Sequence, residues 1–244
     1  MILVDQEKIW RHFQGARVDS FGPAEPRYEA LVREAFKRRA GHLRVLNIGI
    51  GGGGVERRML AAGWSVMSLD PDSAAVTHMK ALGVDARQGY AQQIPVESDF
   101  VDVVIVSEVL EHIADANRRS AISEIARILK PDGLLIGTVP YRENLSDWET
   151  VCPTCGNVFH RWGHVASFDG EGLRAEVAAH FNVLRCSPRA FVDWRAGKSL
   201  RRLLRNGVRW ILGRMGEGIV YPSLFFVARK VQRERPQSTS EARR

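Results

Sequence analysis

Three cysteines in 244 residues are too few for the cross-linked framework on which small secreted domains rely. No apolar run approaches the roughly 20 residues needed to cross a bilayer. The opening Met1-Ile-Leu-Val-Asp-Gln-Glu-Lys8 lacks the charged-then-apolar order of a secretory leader. No motif recurs at solenoid spacing. These absences leave the expectation of a cytoplasmic chain, long enough for one α/β domain with a modest addition. The net charge of +7 is unevenly placed: Arg195 to Arg235 holds 11 Lys and Arg against 2 Glu, and the rest of the chain is close to neutral. That distribution argues against a whole-surface nucleic-acid footprint and leaves room for a local anionic partner.

What is present begins with Val45-Leu46-Asn47-Ile48, a short apolar run opening into Gly49-Ile-Gly-Gly-Gly-Gly54. A helical stretch from Val55 to Ala62 follows, stopped by Gly63. A second strand, Ser65–Leu69, then delivers Asp70 at its carboxyl end. Glycines let backbone approach a ligand closely, and a helix N-terminus offers free N–H groups. An acid about 20 residues further on suits the two hydroxyls of a ribose. The unit reads as a nucleoside-cofactor site.

Downstream, Ser73–Leu82 reads as a helix and Val84–Arg87 as a short third strand. Phe100–Val106 is the most continuous buried strand, as parallel sheets require. Ser120–Leu129 is a helix, and Pro131-Asp132-Gly133 a tight turn into a fifth strand, Leu134–Val139. Phe181–Cys186 and Leu224–Val227 close the sheet. Strands alternating with helices at this spacing predict a doubly wound α/β sheet. In the N-terminal segment, 1–41, apolar Ile9, Trp10, Phe13, Tyr28, Leu31 and Phe36 predict two helices broken around Phe21-Gly22-Pro23.

Five motifs in order resemble the class I S-adenosylmethionine-dependent methyltransferase family. They are Leu46-Asn-Ile-Gly-Ile-Gly-Gly-Gly53, Ser68-Leu-Asp-Pro-Asp72, Glu97-Ser-Asp-Phe-Val-Asp-Val-Val104, Glu108-Val-Leu-Glu-His112 and Ile125-Ala-Arg-Ile-Leu-Lys-Pro-Asp-Gly133. A nicotinamide-binding Rossmann domain does not predict the last two. The resemblance covers roughly 30–140 and the final strand. It implies a seven-stranded Rossmann-like sheet, S-adenosyl-L-methionine as cofactor, and a cofactor-binding core over 42–140. It also implies cofactor contacts from Asn47, Gly49, Gly51, Gly53, Asp70, Pro71, Tyr90, Ala91 and Ser107. Asn47 stands where the family usually has an acid, and Tyr90 where relatives carry an acid that accepts from the adenine amine.

Glu108, Glu111 and His112 are spaced i, i+3, i+4, which on a helix puts all three on one face. One reading makes His112 a general base oriented by a carboxylate; another makes all three ligands of a divalent ion. The plainer reading keeps Glu108 at the cofactor and leaves Glu111 and His112 to cap and solvate the helix. After the fifth strand, the segment 141–168 carries Cys152-Pro-Thr-Cys155-Gly156, then His160 and His164. This C-x2-C-x4-H-x3-H pattern suits one structural tetrahedral zinc. The alternatives are a redox dithiol, or unpaired thiols beside two substrate-binding histidines. Cys186 falls in a strand and reads as packing.

In 169–232 the chain completes the sheet and adds an amphipathic helix over 198–215. Leu200, Leu203, Leu204, Val208, Ile211, Leu212 and Met215 share one face, with Lys198, Arg201, Arg202, Arg205 and Arg209 on the other. It either rests on an anionic membrane surface or grips a phosphorylated substrate, or it packs its apolar side on the domain with a solvated basic exterior. Residues 233–244 read as a disordered tail. The combined expectation is a cytoplasmic methyltransferase, peripheral at the membrane if the helix docks. It carries a zinc-bound substrate loop and O-methylates a sugar, glycan or lipid-linked intermediate. Nucleic acid is the less favoured partner. An RNA methyltransferase and a non-catalytic zinc-containing module on a vestigial fold remain as alternatives.

Overall fold

The computed structural model describes residues 6–14, 24–195 and 199–232. The N-terminal break around Phe21-Gly22-Pro23, Lys198 and the tail 233–244 lie outside them.

Five parallel strands build the centre: β1 (Arg44–Ile48), β2 (Ser65–Asp70), β3 (Asp85–Gln88), β4 (Val101–Ser107) and β5 (Leu129–Pro140). Two further strands, β8 (Phe181–Arg189) and β9 (Ser223–Lys230), complete a seven-stranded sheet in the order β3-β2-β1-β4-β5-β9-β8, with β9 antiparallel to both neighbours. The Val103–Val106 run of β4 shows why a parallel strand is apolar on both faces. Val103 and Ile105 enter one core and Val104 and Val106 the other, because successive side chains leave opposite faces.

On one face, α2 (Glu25–Arg38), α3 (Gly54–Ala61) and α4 (Ser73–Ala81) bury Leu31, Met59 and Met79 against the sheet. On the other, α5 (Asp115–Ile128) and α6 (Gly170–Val177) bury Ile125 and Leu173. Helix α5 begins five residues earlier than the apolar periodicity predicts. The tight turn expected at Pro131-Asp132-Gly133 lies inside β5 as an irregularity in its pairing with β4, where Asp132 takes φ 61°.

The strand order reverses between β1 and β4, and the carboxyl ends of those two strands open a crevice where open α/β sheets bind ligands. Two additions flank it. Helix α1 (Gln6–Gln14) places Trp10 and Phe13 at its mouth. The segment after β5 is a closed excursion: Tyr141 bridges Phe168, and the Arg142 N–H donates to the Phe168 carbonyl at 2.8 Å. Within this strap, β6 (Glu149–Val151) and β7 (Val158–His160) form a small hairpin. Helix α7 (Leu200–Met215) runs unbroken through Gly207. Among the described residues no helix is long and apolar enough to cross a membrane.

Candidate active site

The glycine loop follows β1. Gly49 has φ 84°, and a Cβ there would lie 2.6 Å from the Val109 side chain, so only glycine fits. Asp70 ends β2 almost fully buried. Its Oδ2 accepts the Ile50 N–H and its Oδ1 the Asp72 N–H, both at 2.8 Å. These bonds orient the carboxylate beside a cavity of about 410 Å³. Gly49, Gly51, Asp70, Pro71, Tyr90, Ala91 and Ser107 all line that cavity. A backbone-walled cradle with an acid at its rim fits a ribose and its attached base.

Asn47 and Gly53, also expected at the cofactor, are not among the residues that line the cavity. Asn47 is completely buried, and its Nδ2 donates to the Gly49 carbonyl (3.0 Å) and to Glu56 Oε1 (2.7 Å). Ser68 Oγ donates to the same Glu56 oxygen at 2.8 Å. Burial pushes the Glu56 carboxyl above its usual range. This Asn47–Glu56–Ser68 network braces the loop from beneath. Sequence reasoning missed Glu56; the available signal was an acid between Val55 and Met59, both core residues. Gly53 adopts φ 70° as the N-cap of α3, where a Cβ would meet Met79 at 2.5 Å.

The shared helical face expected for Glu108, Glu111 and His112 is not formed. Glu108 has φ 56° and lies outside the helical turn, which spans only Leu110–His112. Glu108 is therefore set apart from the other two. Glu108 lines the cavity, 3.7 Å from the Arg27 guanidinium. Glu111 points inward, fully buried, and neither carboxylate oxygen has a hydrogen-bond partner among the described residues. Burial, reinforced by the nearby Glu108 charge, drives its pKa well up. His112 lines the cavity, with Nδ1 3.2 Å from the Trp10 indole nitrogen and 3.3 Å from the Gly163 carbonyl. Burial first, then neighbouring His164, lower its pKa to about 3.

The strap brings a second histidine to this point. Val165 and Ala166 N–H donate to the Glu111 carbonyl at 2.8 and 3.2 Å, which seats His164 against His112 with ring centroids 4.7 Å apart. Glu111, His112 and His164 each offer a ligand atom within 4.8 Å of the others, and so do Glu143, His160 and His164. Neither Trp10 nor Glu143 was singled out from sequence as part of the site, because each joins it through tertiary contact.

The four-ligand zinc knuckle is not assembled. Cys152 and Cys155 occupy the turn of the β6–β7 hairpin, where the Gly156 N–H donates to the Cys152 carbonyl at 2.9 Å and Cys155 is exposed. His160 pairs with Glu149 at the opposite end of the hairpin and stacks on His164 at 4.5 Å. Extended strand advances about 3.3 Å per residue, so Val158–His160 carries the histidine away from the thiols. Among the described residues, no cluster of three ligating side chains includes a cysteine. Cys186 is half-buried in β8, its Sγ 3.9 Å from the Gly170 carbonyl.

Residues 46–137 match the family described as methyltransferase domain. Residues 46–137 carry a methyltransferase domain of that family. Within that domain the chain is 37% identical over 99 residues to a ubiquinone biosynthesis O-methyltransferase of Rhizobium rhizogenes, covering 38% of this chain and 39% of that one. It is 32% identical over 165 residues to an uncharacterized methyltransferase of Mycobacterium bovis, covering 67% of this chain and 62% of that one. The matches thus span less than two thirds of these relatives' own lengths. The methyltransferase fold is similar to that of the N-methyltransferase NodS from Bradyrhizobium japonicum, solved with S-adenosyl-L-homocysteine. The TM-score is 0.60 at 17% identity, covering 93% of this chain and 97% of that chain.

Proposed function

We propose that this chain is an S-adenosylmethionine-dependent O-methyltransferase acting on a hydroxyl of a lipid-linked or sugar-containing acceptor, and that Glu111, His112 and His164 hold a divalent cation at the acceptor end of its cavity. The observation that carries the reading is Glu111: a buried carboxylate without a hydrogen-bond partner among the described residues, beside two imidazoles that line the same crevice as Asp70. A buried unpaired carboxylate is costly unless it is paired or coordinates a metal. Burial also keeps His112 neutral, the form that ligates a metal.

When bound, S-adenosyl-L-methionine supplies an already activated methyl group. The chain's own part is alignment and management of the acceptor proton. Asp70 faces the ribose end, and Gly49 and Gly51 allow close approach of the backbone. Trp10, Phe13 and Trp162 line the acceptor end with apolar surface that excludes water; Phe13 and Trp162 lie 4.7 Å apart. A cation at Glu111, His112 and His164 would lower the pKa of an acceptor hydroxyl in that wall. The name of the Rhizobium relative supports a hydroxyl acceptor.

The test is S-adenosylhomocysteine formation from a panel of phenolic, prenylated and glycosidic hydroxyl compounds, with magnesium or manganese and with chelator. Cation-dependent turnover on at least one is the expected result. Turnover unaffected by chelator would remove the cation, and failure to bind S-adenosylhomocysteine would leave a vestigial fold.

A further inference from the structure

Helix α7 packs the wrong way round for an ordinary surface helix. Its buried residues are Asn206 and Gly213. Asn206 Nδ2 donates to the Asp193 carbonyl at 2.9 Å, and Gly213 lies so near the end of β8 that a Cβ would sit 2.4 Å from Ala190. The small, polar side is the one that docks. Leu200, Leu204, Val208, Ile211 and Met215 fall within an arc of about 80° at 100° per residue. They are 71%, 62%, 55%, 52% and 68% exposed. Beyond the helix, Ile219 and Tyr221 are exposed as well.

The helix contains five arginines and no acid. Arg201 and Arg205 border the stripe on one side and Arg214 on the other, as the helical period requires. From this arrangement we infer that α7 is a membrane-contact helix, laying its aliphatic stripe into the interface of an anionic lipid surface while the flanking guanidinium groups meet the headgroups. Charge selects that occupant over a second copy of the chain. An isologous contact would set one arginine-bearing helix against its own image, with like charges around the rim.

The position of the helix is informative too. Its C-terminal Gly216 abuts Tyr141 at the base of the strap, and Tyr221 packs on Trp148 of the strap with ring centroids 5.6 Å apart. The C-terminal end of the helix therefore adjoins the segment that carries His160 and His164. The inference stands on α7 alone and does not require methyl transfer.

The experiment is co-sedimentation of the full chain with vesicles of phosphatidylcholine, alone or mixed with phosphatidylglycerol. Binding to the mixed vesicles only, weakened by salt, is expected. Ile211→Asp should abolish it while leaving thermal stability and S-adenosylhomocysteine binding unchanged, since the side chain is exposed. Arg201→Gln with Arg205→Gln should weaken it about 30-fold, at roughly 1 kcal/mol for each basic residue near the surface. Three results would overturn the inference: no binding to mixed vesicles, undiminished binding by Ile211→Asp, or a solution dimer that Ile211→Asp disperses.

Discussion

Glu143 and His164 share a hydrogen bond between Oε2 and Nδ1, 2.5 Å apart. In the neutral ring, an Nδ1 proton donated to that oxygen leaves Nε2 as a free ligand atom. The other Glu143 oxygen lies 3.7 Å from His160 Nε2. His160 Nδ1 accepts the backbone N–H groups of Trp162 and His164 at 3.3 and 3.1 Å, so its proton resides on Nε2, toward the carboxylate. Glu143 thus orients His164 by a hydrogen bond and lies beside His160, whose ring the backbone N–H groups hold. If His164 ligates a cation, Glu143→Gln should weaken manganese binding about 10–100-fold, the usual cost of losing a carboxylate behind a metal histidine. Calorimetric titration of both forms measures it. Equal affinity would assign Glu143 to strap structure alone.

Glu111 gives a pH signature. Its raised folded pKa means that the folded chain keeps a proton which the unfolded chain releases above about 4.5. Its stabilising contribution is complete below that value and is lost as pH rises through the folded pKa. In chelator-treated protein, Glu111→Gln should therefore melt higher than wild type at pH 8, with the gap closing toward pH 5. Added cation should stabilise wild type and not the variant. A Glu111→Gln protein less stable than wild type at pH 8 would mean that the carboxylate is paired.

Asp70→Ala removes a charge-assisted acceptor at the ribose end, worth about 1.5–3 kcal/mol, or roughly 10- to 150-fold in affinity. Gly51→Val places a branched side chain at φ 52° in the cavity wall and should abolish binding. Calorimetry with S-adenosylhomocysteine reads both. Unchanged affinity in the pair would move the cofactor elsewhere.

The thiols predict a negative result. A Cys152→Ser, Cys155→Ser double variant should match wild type in metal content by elemental analysis, because the cysteines sit at the opposite end of the hairpin from His160. Loss of metal from that variant would restore the four-ligand knuckle.

Two glycines of α7 separate packing from propensity. Gly213→Val would force bulk against Ala190 and should cost about 1–3 kcal/mol, lowering the melting temperature by about 2–4 °C for each kcal/mol in a chain of this size. Gly207→Ala meets nothing within 4 Å and should stabilise by up to about 1 kcal/mol through helix propensity. Thermal melts distinguish them. Equal effects would show that α7 is not held at Ala190.

Much of the fold was legible because it depends on local pattern. The apolar run Val103–Val106 in β4 requires cover on both faces, the glycines after β1 permit a loop no other residue could form, and Asp70 follows at the distance of one helix and one strand. The site was legible only where a motif coincides with a single element. Spacing alone put Glu108, Glu111 and His112 on one helical face, but Glu108 takes a left-handed backbone and the turn that follows is too short to align them. Cys-x2-Cys and His-x3-His are close along the chain yet belong to opposite ends of a hairpin, since strand pairing extends what a knuckle would fold back.

Helix α7 shows the division most plainly. By itself the sequence determined that the segment is helical and two-faced, because side-chain period and charge order are properties of the chain. Which face the domain covers was decided by tertiary structure. Gly213 is the position where the helix can approach Ala190, and Asn206 finds the Asp193 carbonyl on the same side. Close backbone approach and a satisfied buried amide chose the small, polar face for packing and left the aliphatic one to solvent.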